Sequence, residues 1–128
     1  MNQTERYRLE ALMELALSYP KGQSTTQVAT RREIPPAYLS RLLAELARTG
    51  CIRSRRGPGG GVTLARPPET ISVASIIFLR TIDTSLPPAL DRLANTIDDA
   101  VEASTASISI ADLARWERQS SDTNDYDI

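Results

Sequence analysis

Apolar residues in the first half of the chain recur at helical spacing, and turn-forming residues punctuate them. Leu9, Leu12, Met13, Leu15 and Ala16 predict a helix over about residues 7–17, which Pro20-Lys21-Gly22 ends. Ser24, with Gln27 three residues on, has the form of a capping box. It predicts a second, short helix over about 25–33 with Val28 and Ala29 facing inward. Pro35-Pro36 forces a turn, because the residue before a proline avoids the helical region. Pro36 itself suits a first helical position, so a third helix is predicted from there. Its stripe of Leu39, Leu42, Leu43 and Leu46 follows i, i+3, i+4, i+7, and Gly50 stands where the chain would reverse. The face left outside holds Ala37, Tyr38, Ser40, Arg41, Glu45 and Arg48.

Two helices joined by a tight turn, the second exposing small or hydrogen-bonding groups in its first turns, match the helix-turn-helix that fits a major groove. Short β-type segments at 51–54 and 62–64 follow. They flank Arg55-Arg56-Gly57-Pro58-Gly59-Gly60-Gly61, a hairpin with a basic, glycine-rich tip. A hairpin in that place is the wing of a winged helix, and Arg53, Arg55 and Arg56 on it suit phosphates or a narrow minor groove. Ser72 then caps an expected helix over 73–82, and Pro87-Pro88 opens a longer one. Leu90, Leu93, Ala94, Ile97 and Val101 line one face of that helix, while Asp91, Asp98, Asp99 and Glu102 fall elsewhere. Such a stripe serves either as a dimer seam or as core within the domain. Ser109 with Asp112 heads a last helix near 110–118, and the polar, acidic residues from Ser120 to Ile128 are expected to be disordered. The expected fold is mainly α with a small β wing. Residues 1–82 form a winged helix-turn-helix domain, 83–118 a helical dimerisation region and 119–128 an acidic tail.

Composition sharpens this picture in two places. The net charge of −1 conceals an asymmetry: residues 1–67 hold eleven Arg/Lys against five Glu, and residues 68–128 hold four Arg against eleven Asp/Glu. A basic half points to a polyanion partner, here double-stranded DNA. The chain also has one cysteine and no histidine, which excludes a Cys/His metal site and removes the commonest general base. No nucleophile–base pair stands out, and the glycines lie in a hairpin and not before a helix, so an enzyme is not expected. Two readings stay open at Cys51: a small core residue, or a thiol switch if it is exposed beside Arg53 and Arg55. No apolar run reaches a membrane span and the N-terminal stretch carries Glu5, Glu10 and Glu14, so no membrane partner is expected and the cytoplasm is the expected compartment.

Arg56-Gly57-Pro58-Gly59-Gly60-Gly61, followed by Val62, Leu64 and Ala65, is similar to the wing signature of the Rrf2 family of bacterial winged-helix regulators. Ile34-Pro35-Pro36-Ala37-Tyr38-Leu39 followed by Leu42-Leu43 resembles that family's recognition helix, and Thr70-Ile71-Ser72-Val73 its segment after the wing. The resemblance implies a homodimer with crossed C-terminal helices. It also implies major-groove contacts from Pro36, Ala37, Tyr38, Ser40 and Arg41, and minor-groove entry by Arg56 with Gly57, Gly59 and Gly60. Ser40 stands where many relatives are acidic, so no relative's operator carries over. Residues 81–88 hold no Cys or His, although cluster-bearing members keep their cysteine ligands in that region, so a member without an iron–sulfur cofactor is implied. The leading expectation is a homodimeric transcriptional repressor answering to an unidentified small-molecule or protein effector. The alternative is a winged-helix adaptor acting through its acidic helical half.

Overall fold

The computed structural model describes residues 1–57, 60–77 and 86–125. Helix α1 spans Gln3–Ser18, α2 Thr25–Arg32 and α3 Pro36–Arg48, followed by strands β1 (Ile52–Arg55) and β2 (Gly61–Leu64). After a 3-10 turn at Pro68–Thr70 come α4 (Val73–Ile77), α5 (Pro88–Thr105) and α6 (Ile110–Asp125). The architecture is mainly helical with a two-stranded antiparallel wing. Among the described residues, no helix is long and apolar enough to cross a membrane.

Local chemistry sets most helix starts. The Ser24 hydroxyl accepts from the Gln27 N–H at 3.1 Å, and the Ser24 N–H donates to Gln27 Oε1 at 3.0 Å. Ser109 and Asp112 make the same reciprocal pair at 3.1 and 2.9 Å ahead of α6. A third such box begins α1, where the Glu5 N–H donates to Asn2 Oδ1 at 2.8 Å and the Asn2 N–H to Glu5 Oε2 at 3.1 Å. That box starts α1 before the apolar stripe begins, hence earlier than the stripe alone indicates. Helix α2 ends at Glu33, which takes the left-handed conformation, and α3 follows with Pro36 in its first turn.

The core lies where α1, α2, α3, the wing base and α4 converge. Leu12, Leu15, Val28, Leu39, Leu42, Leu46, Ile71 and Ile76 are fully buried there. Ile110 and Ala114 of α6 are buried as well, which places α6 against α1 and the 3-10 turn. The Ile110 N–H donates to the Ile71 carbonyl and the Val73 N–H to the Ile108 carbonyl, tying the entry of α6 to that of α4. By contrast α5 has no buried residue.

Two expectations need correction. The acidic tail expected to be disordered from Ser120 is helical through Asp125, since neither Gly nor Pro interrupts the turns that α6 has already nucleated. Strand β1 begins at Ile52, leaving Cys51 just outside the ladder. The expected 73–82 helix is described only as α4, and residues 126–128 of the tail lie outside the described residues.

Candidate nucleic-acid interface

The leucine stripe of α3 is fixed in the core, and this turns the opposite face of the helix outward. Pro36, Ala37, Ser40 and Arg41 are exposed on it. Tyr38 is half-buried. Its ring meets the Tyr7 ring edge-on, with centroids 5.6 Å apart at 72°, and its hydroxyl hydrogen-bonds the Thr4 hydroxyl. The Arg41 guanidinium lies 5.9 Å from the centre of the same ring. Tyr38 is therefore less available to DNA than a residue on an open face, because its hydroxyl is engaged and its ring serves as a pedestal for Arg41. Glu45, also expected on the outer face, is half-buried and pairs with Arg8 of α1 at 2.9 Å.

In the wing, Ile52 faces Leu64 on the core side, and Ser54, in the same phase but exposed, faces Val62. Arg53 opposite Thr63 and Arg55 opposite Gly61 therefore point the other way. Arg53, Arg55, Arg56 and Gly57 are exposed and Gly60 is half-buried; Gly59 lies outside the described residues. Sequence reasoning missed how the wing is anchored. The Gln23 N–H donates to the Val62 carbonyl at 2.9 Å and the Val62 N–H to the Gln23 carbonyl at 2.7 Å, so Gln23 acts as a one-residue third strand. This close approach requires a glycine at position 61: its φ is +157°, and a Cβ there would sit 2.5 Å from the Gln23 carbonyl oxygen. Between the wing and the start of α2 lies an open cleft of about 440 Å³, with Lys21 and Arg55 on its walls.

A buried polar network supports this base and was likewise absent from the sequence reading. The Gln23 side chain donates to Glu14 Oε2 at 3.0 Å, and Arg31 approaches the same oxygen at 3.3 Å. Arg32 Nε donates to Glu14 Oε1 at 3.2 Å, while its two terminal nitrogens reach the Glu117 carboxylate of α6 at 2.7 Å each. Burial alone would push the Glu14 carboxyl up, but hydrogen bonds from Gln23 and Arg31 and the Arg32 charge hold it below its ordinary value. The bidentate hydrogen bond to Glu117 outweighs desolvation and raises the Arg32 guanidinium. Glu5 and Arg8 share the helix face of Leu9, Leu12 and Leu15, whereas Glu14 falls well round the helix from Leu9 and Leu12, so helical periodicity carried no signal of its burial.

The basic half of the chain thus divides in two. Arg6, Arg8, Arg31 and Arg32 are held by carboxylates, whereas Lys21, Arg41, Arg48, Arg53, Arg55, Arg56 and Arg66 are exposed without an ion pair among the described residues. Away from this face, Leu90, Leu93 and Ile97 of α5 are 50, 54 and 50% exposed, with Ala94 and Val101 half-buried beside them. This stripe is not core within the chain. Cys51 is 2% exposed and packs with Ile52 and Leu64, so it lacks the exposure that a reactive thiolate requires and the redox reading gives way to packing.

Comparison with known proteins gives concordant results. The chain matches the Rrf2 family, described as an iron-dependent transcriptional regulator, over residues 1–88. The HTH-type transcriptional regulator IscR of Cereibacter sphaeroides is 43% identical over 75 residues, which cover 56% of this chain and 48% of that protein. The chain spans about half the length of the curated relatives it matches. Among solved structures, IscR of T. potens superposes with a TM-score of 0.77 at 27% identity, covering 94% of this chain and 89% of that one. CymR of Staphylococcus aureus gives 0.69 at 32% identity, covering 88% and 96%. Among the described residues, the iron in the family's description finds no fitting ligands. An iron–sulfur cluster needs several thiolates, and the sole cysteine is enclosed in the apolar core. Among the described residues, no group of three Cys, His, Asp or Glu side chains could hold a metal.

Proposed function

This chain belongs to the Rrf2 family of transcriptional regulators, and from that premise we propose that it is a sequence-specific DNA-binding regulator working as a homodimer without an iron–sulfur cluster. One observation carries the reading. Four of the exposed arginines that make no ion pair among the described residues, Arg41, Arg53, Arg55 and Arg56, lie on the recognition helix and the wing, the two elements that a winged helix offers to DNA. Pro36, Ala37 and Ser40 then read the major groove beside Arg41, and Arg56 with Gly57, Gly59 and Gly60 enters the minor groove. Leu90, Leu93, Ala94, Ile97 and Val101 form the seam between two copies, and the protein works in the cytoplasm. Such a dimer represses by occupying a site that overlaps a promoter, and an effector reaches it by a route other than cluster chemistry.

The test is a salt series on duplex DNA. Each phosphate contact contributes about 0.9 to the slope of log affinity against log salt. Arg56→Ala should therefore flatten the slope by about 0.9 per protomer, or about 1.8 for a dimer with both wings engaged. An unchanged slope would remove Arg56 from the interface. Failure of the unmodified chain to bind any duplex would remove the function.

A further inference from the structure

The Arg32–Glu117 pair joins two parts of the molecule that have different tasks. Arg32 ends α2, the first helix of the helix-turn-helix, which crosses the DNA backbone and braces the recognition helix. Glu117 belongs to α6, which is separated from α5, the helix with the exposed apolar stripe, only by residues 106–109. The contact is fork-to-fork at 2.7 Å on both arms, and the Arg32 side chain is 9% exposed. With Nε also given to Glu14 of α1, all three guanidinium nitrogens are turned inward. Loss of Glu117 would leave a buried cation only partly compensated, so α2 would have to shift to rehydrate it.

We propose that Arg32 and Glu117 form a clasp that sets the position of α2, making Glu117 a positioning residue for DNA binding although it lies outside the interface. The clasp rests on the DNA-binding reading above. It links the proposed dimer helix to the reading unit, since a displacement of α5 passes through α6 to Glu117, and from there to α2. The clasp also makes a prediction opposite in sign to simple electrostatics. Removing a carboxylate from a protein that binds a polyanion should raise affinity, whereas removing the clasp should lower it.

The experiment compares the unmodified chain with Glu117→Ala, Glu117→Gln and Arg32→Ala on one duplex, well below the melting temperature of each, across a salt series. Glu117→Ala should bind about fivefold more weakly or worse, the scale of a coupling between sites, with its salt slope unchanged. Glu117→Gln, which keeps one acceptor arm, should recover part of the loss, and it takes over the test if the alanine variant does not fold. Arg32→Ala should also weaken binding at constant slope, and adding Glu117→Ala to it should cost little more. Undiminished or tighter binding by the Glu117 variants overturns the clasp. A slope flattened by about 0.9 per protomer in Arg32→Ala also overturns it, since Arg32 would then be a phosphate contact. Absence of binding by the unmodified chain would instead refute the DNA-binding reading itself.

Discussion

Gly61→Ala should detach the wing from the body of the domain, and the size of the effect can be worked from the backbone. At φ +157° a side chain is strained in itself, which costs about 1–2 kcal/mol. The new Cβ would also lie 2.5 Å from the Gln23 carbonyl oxygen, so the two backbone hydrogen bonds between Gln23 and Val62 must open. At about 0.5–1.5 kcal/mol each, they bring the total to about 2–5 kcal/mol. Gly57→Ala is the control: its φ of +94° carries similar strain, but nothing lies within 4 Å of the added atom. With about 3–5 °C lost per kcal/mol in a domain of this size, Gly57→Ala should lower the melting temperature by about 5 °C and Gly61→Ala by about 10 °C or more. Thermal unfolding followed by circular dichroism gives the two shifts. Amide exchange at Val62 and Gln23 reports where the damage lies, and only Gly61→Ala should accelerate it. Equal shifts, or unchanged exchange at Val62, would refute the reasoning.

Other expectations follow from the same contacts. Leu93→Glu and Ile97→Glu should turn a dimer into a monomer in sedimentation at micromolar concentration, and an unmodified chain that is already monomeric would dispose of the seam. Glu14 is lowered from 4.5 in the folded state, so its contribution is complete above about pH 4.5 and is lost as the pH falls through the lower folded value. The stability gap between the unmodified chain and Glu14→Gln should thus narrow in urea titrations taken from pH 7 to pH 3, and a gap that stays constant would contradict the assignment. Cys51 should resist thiol reagents until the chain unfolds, and Cys51→Ser should cost about 1–3 kcal/mol by burying a hydroxyl without a partner. Rapid labelling of the folded protein would reopen the redox reading.

What could be read from the sequence was mostly what neighbours along the chain decide. The Ser24–Gln27 and Ser109–Asp112 boxes, the leucine stripe of α3 and the turn at Gly50 all depend on residues a few positions apart, and the structure shows each of them. Gln23 was invisible as a strand because one residue has no alternation to detect, and its partner Val62 is far away in sequence. Arg32 counted as a cation for DNA because its partner Glu117 lies 85 positions on. Tyr38 was placed outside by its helical phase. Contacts with Tyr7 and Thr4 of α1, which no periodicity reports, draw it half inside.

Helix α5 is 18 residues long and buries none of them. A helix of about that length is only marginally stable in water unless an apolar face is covered. Where a second copy provides the cover, folding of this segment and pairing of two chains become one equilibrium, and dilution melts what concentration orders. The melting curve of α5 should then move with protein concentration while that of the leucine-filled core does not. A cell holding few copies would contain half-ordered single heads. One holding many would contain paired heads, so the number of molecules would itself set how much of the chain is folded.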